Sequence, residues 1–236
     1  MKLIVEQLEK RFDKKEVLRG ATFTFEQGRI YGLLGRNGAG KTTLFNCLNE
    51  DIPTDGGSFC LEQDDGVRRA LTADDIGYVL STPVVPEFLT AREFLKFFLE
   101  INRHRIAYPK DPDVYLDYMQ IDPEDRGKLL KDFSHGMKNK MQMLVHFIAS
   151  PAVLLLDEPL TSFDVVVADE MKGLLRRIKG DHITILSTHI MELALDLCDE
   201  IVILSDGVLR QVSREELDDE DFKNRIIAAL KGEDDV

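Results

Sequence analysis

The chain has 236 residues, 44% of them hydrophobic, which is enough to bury one large domain or a core with an inserted subdomain. Its 30 basic and 43 acidic residues give a formal charge of −13, which argues against a nucleic-acid partner because phosphate backbones are bound by clustered Lys and Arg. The odd number of scattered cysteines, Cys47, Cys60 and Cys198, excludes a close-paired zinc site or an even disulfide framework and suits a reducing cytoplasm.

The N-terminal part of the sequence predicts strands. Residues 21–25 alternate between apolar and polar side chains, and the chain turns at residues 27–28, so we expect an antiparallel hairpin here. A short apolar strand over residues 29–34 follows, and residues 41–48 predict a helix. The glycine-rich segment between them is therefore placed after a strand and before a helix.

This glycine-rich segment, residues 35–42, matches the phosphate-binding pattern G-x-x-x-x-G-K-[ST]. Its glycines allow successive backbone N–H groups to point at phosphate oxygens, at the positive end of the following helix. Lys41 would add a point charge, and the Thr42 hydroxyl is a candidate ligand for Mg²⁺. A glycine-rich turn without function is the alternative, but the flanking strand and helix disfavour it. The predicted nucleotide-binding residues are Gly35, Arg36, Asn37, Gly38, Ala39, Gly40, Lys41, Thr42 and Thr43.

The middle of the sequence, residues 86–150, changes to helical patterns. Thr90 and Glu93 form a capping box that opens a helix, and Asp122-Pro123 predicts the start of another. The apolar residues of the first helix recur at helical spacing and comprise Phe94, Leu95, Phe98 and Ile101. A later stripe, which indicates ordinary helix packing, comprises Met137, Met141, Leu144 and Ile148.

The last third of the sequence returns to buried strands. Residues 152–156 and 183–186 are continuous apolar runs, and residues 201–204 and 208–212 predict a hairpin. Apolar strands that end in polar residues suit a parallel sheet, whose ligands bind beyond the carboxyl ends of the strands. The tail from residue 215 is acidic, and its apolar residues predict a short amphipathic helix with Phe222, Ile226, Ile227 and Leu230.

An acidic pair, Asp157 and Glu158, ends the first of these apolar runs. Asp157 can hold Mg²⁺ directly or through water, which is the Walker-B role in P-loop enzymes. Glu158 is placed to polarise a water for attack on the γ-phosphorus, as a general base. The alternative, an acidic pair that merely ends a strand at the surface, loses weight in combination with the phosphate loop.

These residues resemble the ATP-binding subunits of ABC transporters, and the resemblance covers nearly the whole chain. It implies an α/β P-loop NTPase fold with a mostly parallel central sheet, an N-terminal antiparallel β subdomain and an inserted helical subdomain. On this basis we expect a single ABC ATPase domain over residues 1–236. Its catalytic core would comprise residues 1–85 and 151–214, its helical subdomain residues 86–150, and its acidic tail residues 215–236.

Further motifs appear in the order that this family has. Phe12 resembles the aromatic residue that stacks on adenine, an interaction worth roughly 1–3 kcal/mol, and Val17 would add an apolar contact. Residues 133–137 stand where the family signature, usually Leu-Ser-Gly-Gly-Gln, is found. The resemblance implies that Ser134, His135 and Gly136 bind the γ-phosphate of ATP held by a second subunit.

Two more segments carry over from the family. Residues 158–164 resemble the D-loop, which contacts the partner subunit, although Leu160, Thr161, Ser162 and Phe163 differ from the usual residues. His189 is similar to the switch histidine that hydrogen-bonds the γ-phosphate and orients the attacking water. The implied catalytic residues are therefore Glu158 and His189.

Two departures from the family pattern affect the chemistry. Ser81 stands where a glutamine normally reaches magnesium and the attacking water, so either hydrolysis is slower or Ser81 is a different metal ligand. His135 replaces a signature glycine, and its ring would either crowd the phosphate or donate to it. Together with Thr42 and Asp157, Ser81 completes the predicted metal set.

The resemblance implies a homodimer, or a pseudo-symmetric dimer of two ATPase subunits, that sandwiches two ATP molecules with Mg²⁺. Membrane-spanning permease subunits would hold it at the cytoplasmic face of the cell membrane, because no apolar run approaches the roughly 18 residues that cross a bilayer and no secretory signal is evident. By resemblance to the family, the single-domain layout without a regulatory C-terminal domain favours export. A soluble ABC ATPase in a non-transport assembly process remains the alternative.

A nucleotide-dependent switch such as a GTPase is a further alternative. Residues 139–142 lack the closing Asp of the Asn-Lys-x-Asp guanine motif. We therefore expect ATP to bind more tightly than GTP when the two are titrated side by side with Mg²⁺. Tighter binding of GTP would contradict the resemblance.

Overall fold

The computed structural model describes residues 1–106, 108–161 and 163–213, together with Glu216, Leu217, Asp221 and Ile226. The helix predicted for the tail lies outside the described residues except at Ile226, which is buried in a small apolar cluster with Met191 and Val212. Among the described residues, no helix combines the length and apolar character needed to cross a membrane.

The described ranges contain ten strands and six α-helices. The strands are β1 (Lys2–Phe12), β2 (Lys15–Glu26), β3 (Ile30–Leu34), β4 (Gly56–Glu62), β5 (Arg68–Arg69), β6 (Ile76–Val79), β7 (Val153–Asp157), β8 (Ile183–Thr188), β9 (Glu200–Ser205) and β10 (Val208–Val212). The helices are α1 (Lys41–Leu48), α2 (Ala91–Ile101), α3 (Pro112–Tyr118), α4 (His135–Ala149), α5 (Val165–Ile178) and α6 (Met191–Leu197).

An antiparallel sheet with the strand order β2-β1-β4-β5 forms the N-terminal part. The strand predicted over residues 21–25 is confirmed as part of β2, but the predicted turn of its hairpin is wrong: β2 pairs with the preceding strand β1, with Leu3 opposite Phe25, and not with the strand after residues 27–28. Residues 27–28 instead carry the chain to the second sheet, where the Gly28 N–H donates to the His182 carbonyl at 2.9 Å. The alternation of residues 21–25 places Ala21 and Phe25 in the core.

The second sheet has the order β10-β9-β3-β8-β7-β6. It is parallel from β9 to β6, and only β10 is antiparallel to its neighbour. This mostly parallel sheet beside an antiparallel β part confirms the predicted fold class. Strands β3, β7 and β8 are buried along their whole length, as expected for parallel strands covered on both faces.

Apolar clusters cover the two faces of the parallel sheet. Leu155 faces the cluster that contains α1 and the antiparallel sheet, whereas its neighbour Leu156 faces the cluster that contains α4 and α5. Successive strand residues point to opposite faces, so each apolar run serves both clusters. The strand ends are therefore held between two packed layers.

The helical part differs from the sequence prediction in two places. Helix α2 begins after Thr90 as predicted, but Ile101 is 54% exposed, and the buried stripe runs through Ala91, Leu95 and Leu99. No helix starts at residues 122–123, where the chain forms turns. The Arg126 guanidinium donates to the Ile121 carbonyl at 2.9 Å and stabilises this irregular segment.

The helix missed by the sequence analysis is α3, which begins eleven residues before the predicted start. Asp111 is its N-cap, and the Asp111 side chain accepts from the Asp113 N–H. Pro112 occupies the first turn, where its missing N–H costs nothing. An Asp-Pro pair stands both at the predicted start, residues 122–123, and at the observed start, residues 111–112. Only tertiary contacts determine which of the two pairs begins a helix.

Replacement of Thr90 tests the capping box. The Thr90 hydroxyl accepts from the Glu93 N–H at 3.2 Å, so we expect Thr90→Ala to lower the free energy of unfolding by about 1 kcal/mol. Urea denaturation measures this difference. Thr90→Ser keeps the hydroxyl and is the matched control; equal losses for both variants would contradict a capping role.

Candidate nucleotide-binding site

The candidate site lies at the carboxyl edge of the parallel sheet, where three neighbouring strands end. Leu34 of β3 pairs with Thr188 of β8, and Asp157 of β7 pairs with Ser187 of β8. Because β8 lies between the other two strands, the loops after β3 and β7 flank the residues that follow β8. The structure therefore brings together the three segments that the sequence analysis placed at this edge.

The phosphate loop after β3 requires a glycine at its last turn before α1. Gly40 has a φ of +107°, and a Cβ there would lie 2.7 Å from Val17 Cγ1. This close approach places the β1–β2 hairpin directly against the loop. Most of the loop is accessible: Arg36, Asn37 and Gly38 are exposed, whereas Gly35 is buried.

Lys41 places a buried positive charge inside this loop. Its Nζ donates to the Gly35 carbonyl at 2.5 Å and lies 3.9 Å from Glu158 Oε1. Burial lowers the pKa of Lys41, and the carboxylates of Glu158 and Asp157 act in the opposite direction. A cation at the start of α1 combines with the helix dipole to favour an anionic ligand.

Asp157 has each carboxylate oxygen bound to a different hydroxyl. The Thr42 hydroxyl donates to Oδ2 at 2.8 Å, and the Ser187 hydroxyl donates to Oδ1 at 2.5 Å. The side chain is buried, so these bonds replace the water that a carboxylate would otherwise hold. The phosphate loop and strand β7 are thereby joined directly.

Glu158 adopts an unusual backbone conformation and has one unsatisfied oxygen. Its φ is +50°, and its Oε1 lies 2.8 Å from His189 Nδ1. Its Oε2 is buried and has no hydrogen-bond partner among the described residues. A buried acceptor without a partner is costly, so this oxygen is where a water or ligand donor would gain most.

The oxygen donors at Thr42 and Asp157 fit Mg²⁺. This ion prefers oxygen ligands and is usually held by one or two carboxylates together with substrate phosphates. In the described ranges, no group of three or more His, Cys, Asp or Glu residues is arranged to hold a metal by itself. The donor set therefore fits a cation that arrives with a phosphate ligand.

The remaining predicted residues lie around this cluster. Ser81 is exposed, two residues beyond the end of β6, the strand next to β7. Phe12 ends β1 and is 47% exposed, and Lys10 Nζ lies 5.3 Å from its ring centroid. Thr43 is half-buried in the first turn of α1.

The signature segment is placed apart from the cluster. Ser134 is the N-cap of α4, and its hydroxyl accepts from the Met137 N–H at 3.2 Å. Ser134 and His135 are exposed, and Gly136 is half-buried. Across the part of the chain that the structure describes, no hydrogen bond joins this segment to the acidic pair. One copy of the chain thus leaves the segment open to solvent.

The sequence analysis missed Ser187 and Thr161 as contributors to the site. Ser187 bonds to Asp157, and the Thr161 hydroxyl donates to the Glu158 carbonyl at 2.9 Å. The available signal for Ser187 was a polar residue that directly follows the apolar part of the strand and precedes residues 188–189. That signal does not identify the partner, because the carboxylate is thirty residues away in the sequence.

Comparison of the sequence with known proteins identifies a matching family. Residues 18–161 match the family model described as "ABC transporter". The chain is 32% identical to human ATP-binding cassette sub-family A member 6 over 84% of this chain and 12% of that protein. It is 28% identical to the sulfate/thiosulfate import ATP-binding protein CysA of Synechocystis sp. over 92% of this chain and 61% of that protein. It thus spans less than two thirds of either relative.

A solved structure agrees with the fold. The ATP-binding subunit of an ABC transporter superposes with a TM-score of 0.80 and 23% identity, covering 98% of this chain and all of that one. At this identity the likeness shows the fold alone, whereas the family model matches more than half of the sequence. The chain therefore belongs to the ABC transporter family, as an ATP-binding and ATP-hydrolysing domain.

Proposed function

We propose that this chain powers transport through separate membrane-spanning subunits by binding and hydrolysing ATP. The observation that carries the proposal is the cluster at the sheet edge, in which Thr42 is hydrogen-bonded to Asp157 and His189 to Glu158, each at 2.8 Å, and the Lys41 ammonium lies 3.9 Å from Glu158. Phosphoryl transfer needs positioning and charge stabilisation more than covalent chemistry, and these side chains supply both.

ATP is proposed to bind with its phosphates along residues 35–43 and its adenine against Phe12. The half-exposed Phe12 ring offers a stacking face, and Val17 touches Gly40 of the loop. This contact supports a single continuous surface from the hairpin to the phosphate loop. The Lys41 ammonium now donates to the Gly35 carbonyl, and we expect it to donate to phosphate oxygens when ATP is bound.

Thr42 and Asp157 are the proposed holders of Mg²⁺, and Ser81 is the candidate for a further ligand. When bound, the ion would neutralise charge on the phosphate oxygens. Asp157 Oδ2 faces the Thr42 hydroxyl, which supports a shared role. Ser81 is exposed beyond the end of the adjacent strand, and this position is the one observation that supports its role as a metal ligand.

Glu158 is proposed as the general base and His189 as the residue that orients it. Glu158 Oε2, which lacks a partner among the described residues, is free to accept a proton from an attacking water, while Oε1 is held by His189. A base with one oxygen fixed and the other available has a defined direction for proton abstraction. The Lys41 ammonium, 3.9 Å from Oε1, lies on the side of the carboxylate that His189 also contacts.

A second ATPase subunit is proposed to complete each site. Ser134, His135 and Gly136 would reach the γ-phosphate of ATP bound to the partner, using the N-terminus of α4. Support comes from the exposure of Ser134 and His135 and from their separation from the acidic pair in one copy. ATP would then bridge two subunits and shift the population to a closed dimer.

The wider assignments are part of the same proposal. They comprise the core over residues 1–85 and 151–214, the helical subdomain over residues 86–150, attachment at the cytoplasmic face of the membrane, and the absence of a nucleic-acid partner. The matched family description is that of transporters, so it gives no support to the alternative of a non-transport assembly ATPase. The expectation of export also finds no support, because CysA, the reported relative whose name states a direction, is an import protein.

Replacement of the base tests the hydrolytic role and the dimer together. We expect Glu158→Gln to reduce ATP turnover at least about a hundredfold, because general-base catalysis contributes roughly 10²–10⁴-fold, while ATP still binds. Size-exclusion chromatography with ATP and Mg²⁺ should then show a stable dimer. Glu100→Gln, at an exposed position of α2, is the matched control and should behave like the wild type. A variant that stays monomeric would argue against the sandwich.

A second experiment addresses the departure at Ser81. We expect Ser81→Gln to preserve or raise ATPase activity, because the longer side chain reaches further towards the metal and the attacking water. Steady-state hydrolysis at saturating ATP and Mg²⁺ measures the effect. Ser81→Ala, which removes the hydroxyl, is the companion variant. Complete loss of activity in Ser81→Gln would show that the serine has a specific role of its own.

A further inference from the structure

We propose that Ser187 is a positioning residue that fixes both acidic residues of the site, by orienting the Asp157 carboxylate and by anchoring the Glu158 backbone. The inference rests on the proposed function, because it concerns the residues assigned there to the metal and to the base. Ser187 lies in β8, between the strands that carry the phosphate loop and the acidic pair, and it is fully buried. It makes bonds to both residues of that pair.

The hydrogen bond from Ser187 to Asp157 gives the two carboxylate oxygens of Asp157 different partners. The Ser187 hydroxyl donates to Oδ1 at 2.5 Å, which leaves Oδ2 directed at the Thr42 hydroxyl. Without this donor, a buried Oδ1 would lose its only hydrogen bond among the described residues, and the carboxylate would be free to rotate. The hydrogen bond from Ser187 therefore determines which Asp157 oxygen faces the phosphate loop.

The second contact holds Glu158 in a conformation that a residue with a Cβ adopts rarely. The Glu158 N–H is shared between the Ser187 carbonyl at 3.2 Å and the Ser187 Oγ at 3.1 Å. On the other side of the residue, the Thr161 hydroxyl donates to the Glu158 carbonyl. These bonds restrain the residue at its φ of +50° and so set the direction of its side chain.

Burial of a hydroxyl in β8 does not by itself produce these contacts. Thr184, on the same strand, is also fully buried, and its hydroxyl has no hydrogen-bond partner among the described residues. Ser187 differs because it stands opposite Asp157 in the register of β7 and β8. Thr184→Val therefore removes a buried hydroxyl from the same strand without touching the acidic pair, and it is a matched control.

The test measures metal binding directly, with Mn²⁺ as the probe and electron paramagnetic resonance as the readout, on the full chain with ADP. We expect Ser187→Ala to weaken Mn²⁺ binding about tenfold or more, the usual cost of losing a residue that orients a metal ligand. ADP binding in the presence of EDTA should change less than about twofold. Ser187→Thr keeps the hydroxyl and should bind Mn²⁺ like the wild type, as should Thr184→Val.

Several results would overturn the proposal. They are wild-type Mn²⁺ affinity in Ser187→Ala, an equal loss of ADP binding in EDTA, or a Ser187→Thr variant as weak as Ser187→Ala. If Ser187→Ala reaches the wild-type kcat at saturating Mg²⁺, the proposed role of Ser187 in positioning Glu158 is wrong. If the wild-type chain itself fails to bind Mn²⁺ with ADP, the proposed metal site fails, and this outcome is distinct from a failure of Ser187 alone.

Discussion

The hydrogen bond from the Thr42 hydroxyl to Asp157 Oδ2 joins two segments that are 115 residues apart in the sequence. It forms only if β3, β8 and β7 are neighbours in register, because Asp157 ends β7 and Thr42 lies in the first turn of the helix that follows β3. The register is in turn held by apolar side chains on both faces of the sheet. The packing of the core therefore determines whether the site exists.

Three groups of the site are buried, unpaired or in an uncommon backbone conformation. Lys41 is buried near two carboxylates, Glu158 Oε2 has no partner among the described residues, and the Glu158 backbone lies in the left-handed region. The unpaired Oε2 and the left-handed backbone each cost free energy in isolation, of the order of 1–3 kcal/mol. A water bound to Oε2 would remove the first of these costs, and phosphate oxygens would pair with the Lys41 ammonium, so these two groups favour a ligand.

Helix α4 connects this site to the exposed signature segment. Its buried Asn139 donates to the Pro159 carbonyl at 3.0 Å, in the loop after Glu158, and Gln142 accepts from the Val84 N–H at 3.3 Å, in the loop after β6. Both amides are buried, so these bonds are shielded from water. A displacement of α4 would therefore act on the loops that carry Glu158 and Ser81.

The features that depend on local spacing could be predicted from the sequence. The phosphate loop, the acidic pair and the capping box at Thr90 follow from short-range geometry, because glycine conformation, strand periodicity and helix capping act within a few residues. Tertiary structure alone decided the exposure of Ile101, the start of α3 and the role of Ser187. These depend on which distant side chains pack or bond together, as when Asp157 meets a hydroxyl from β8, and no local pattern records that pairing.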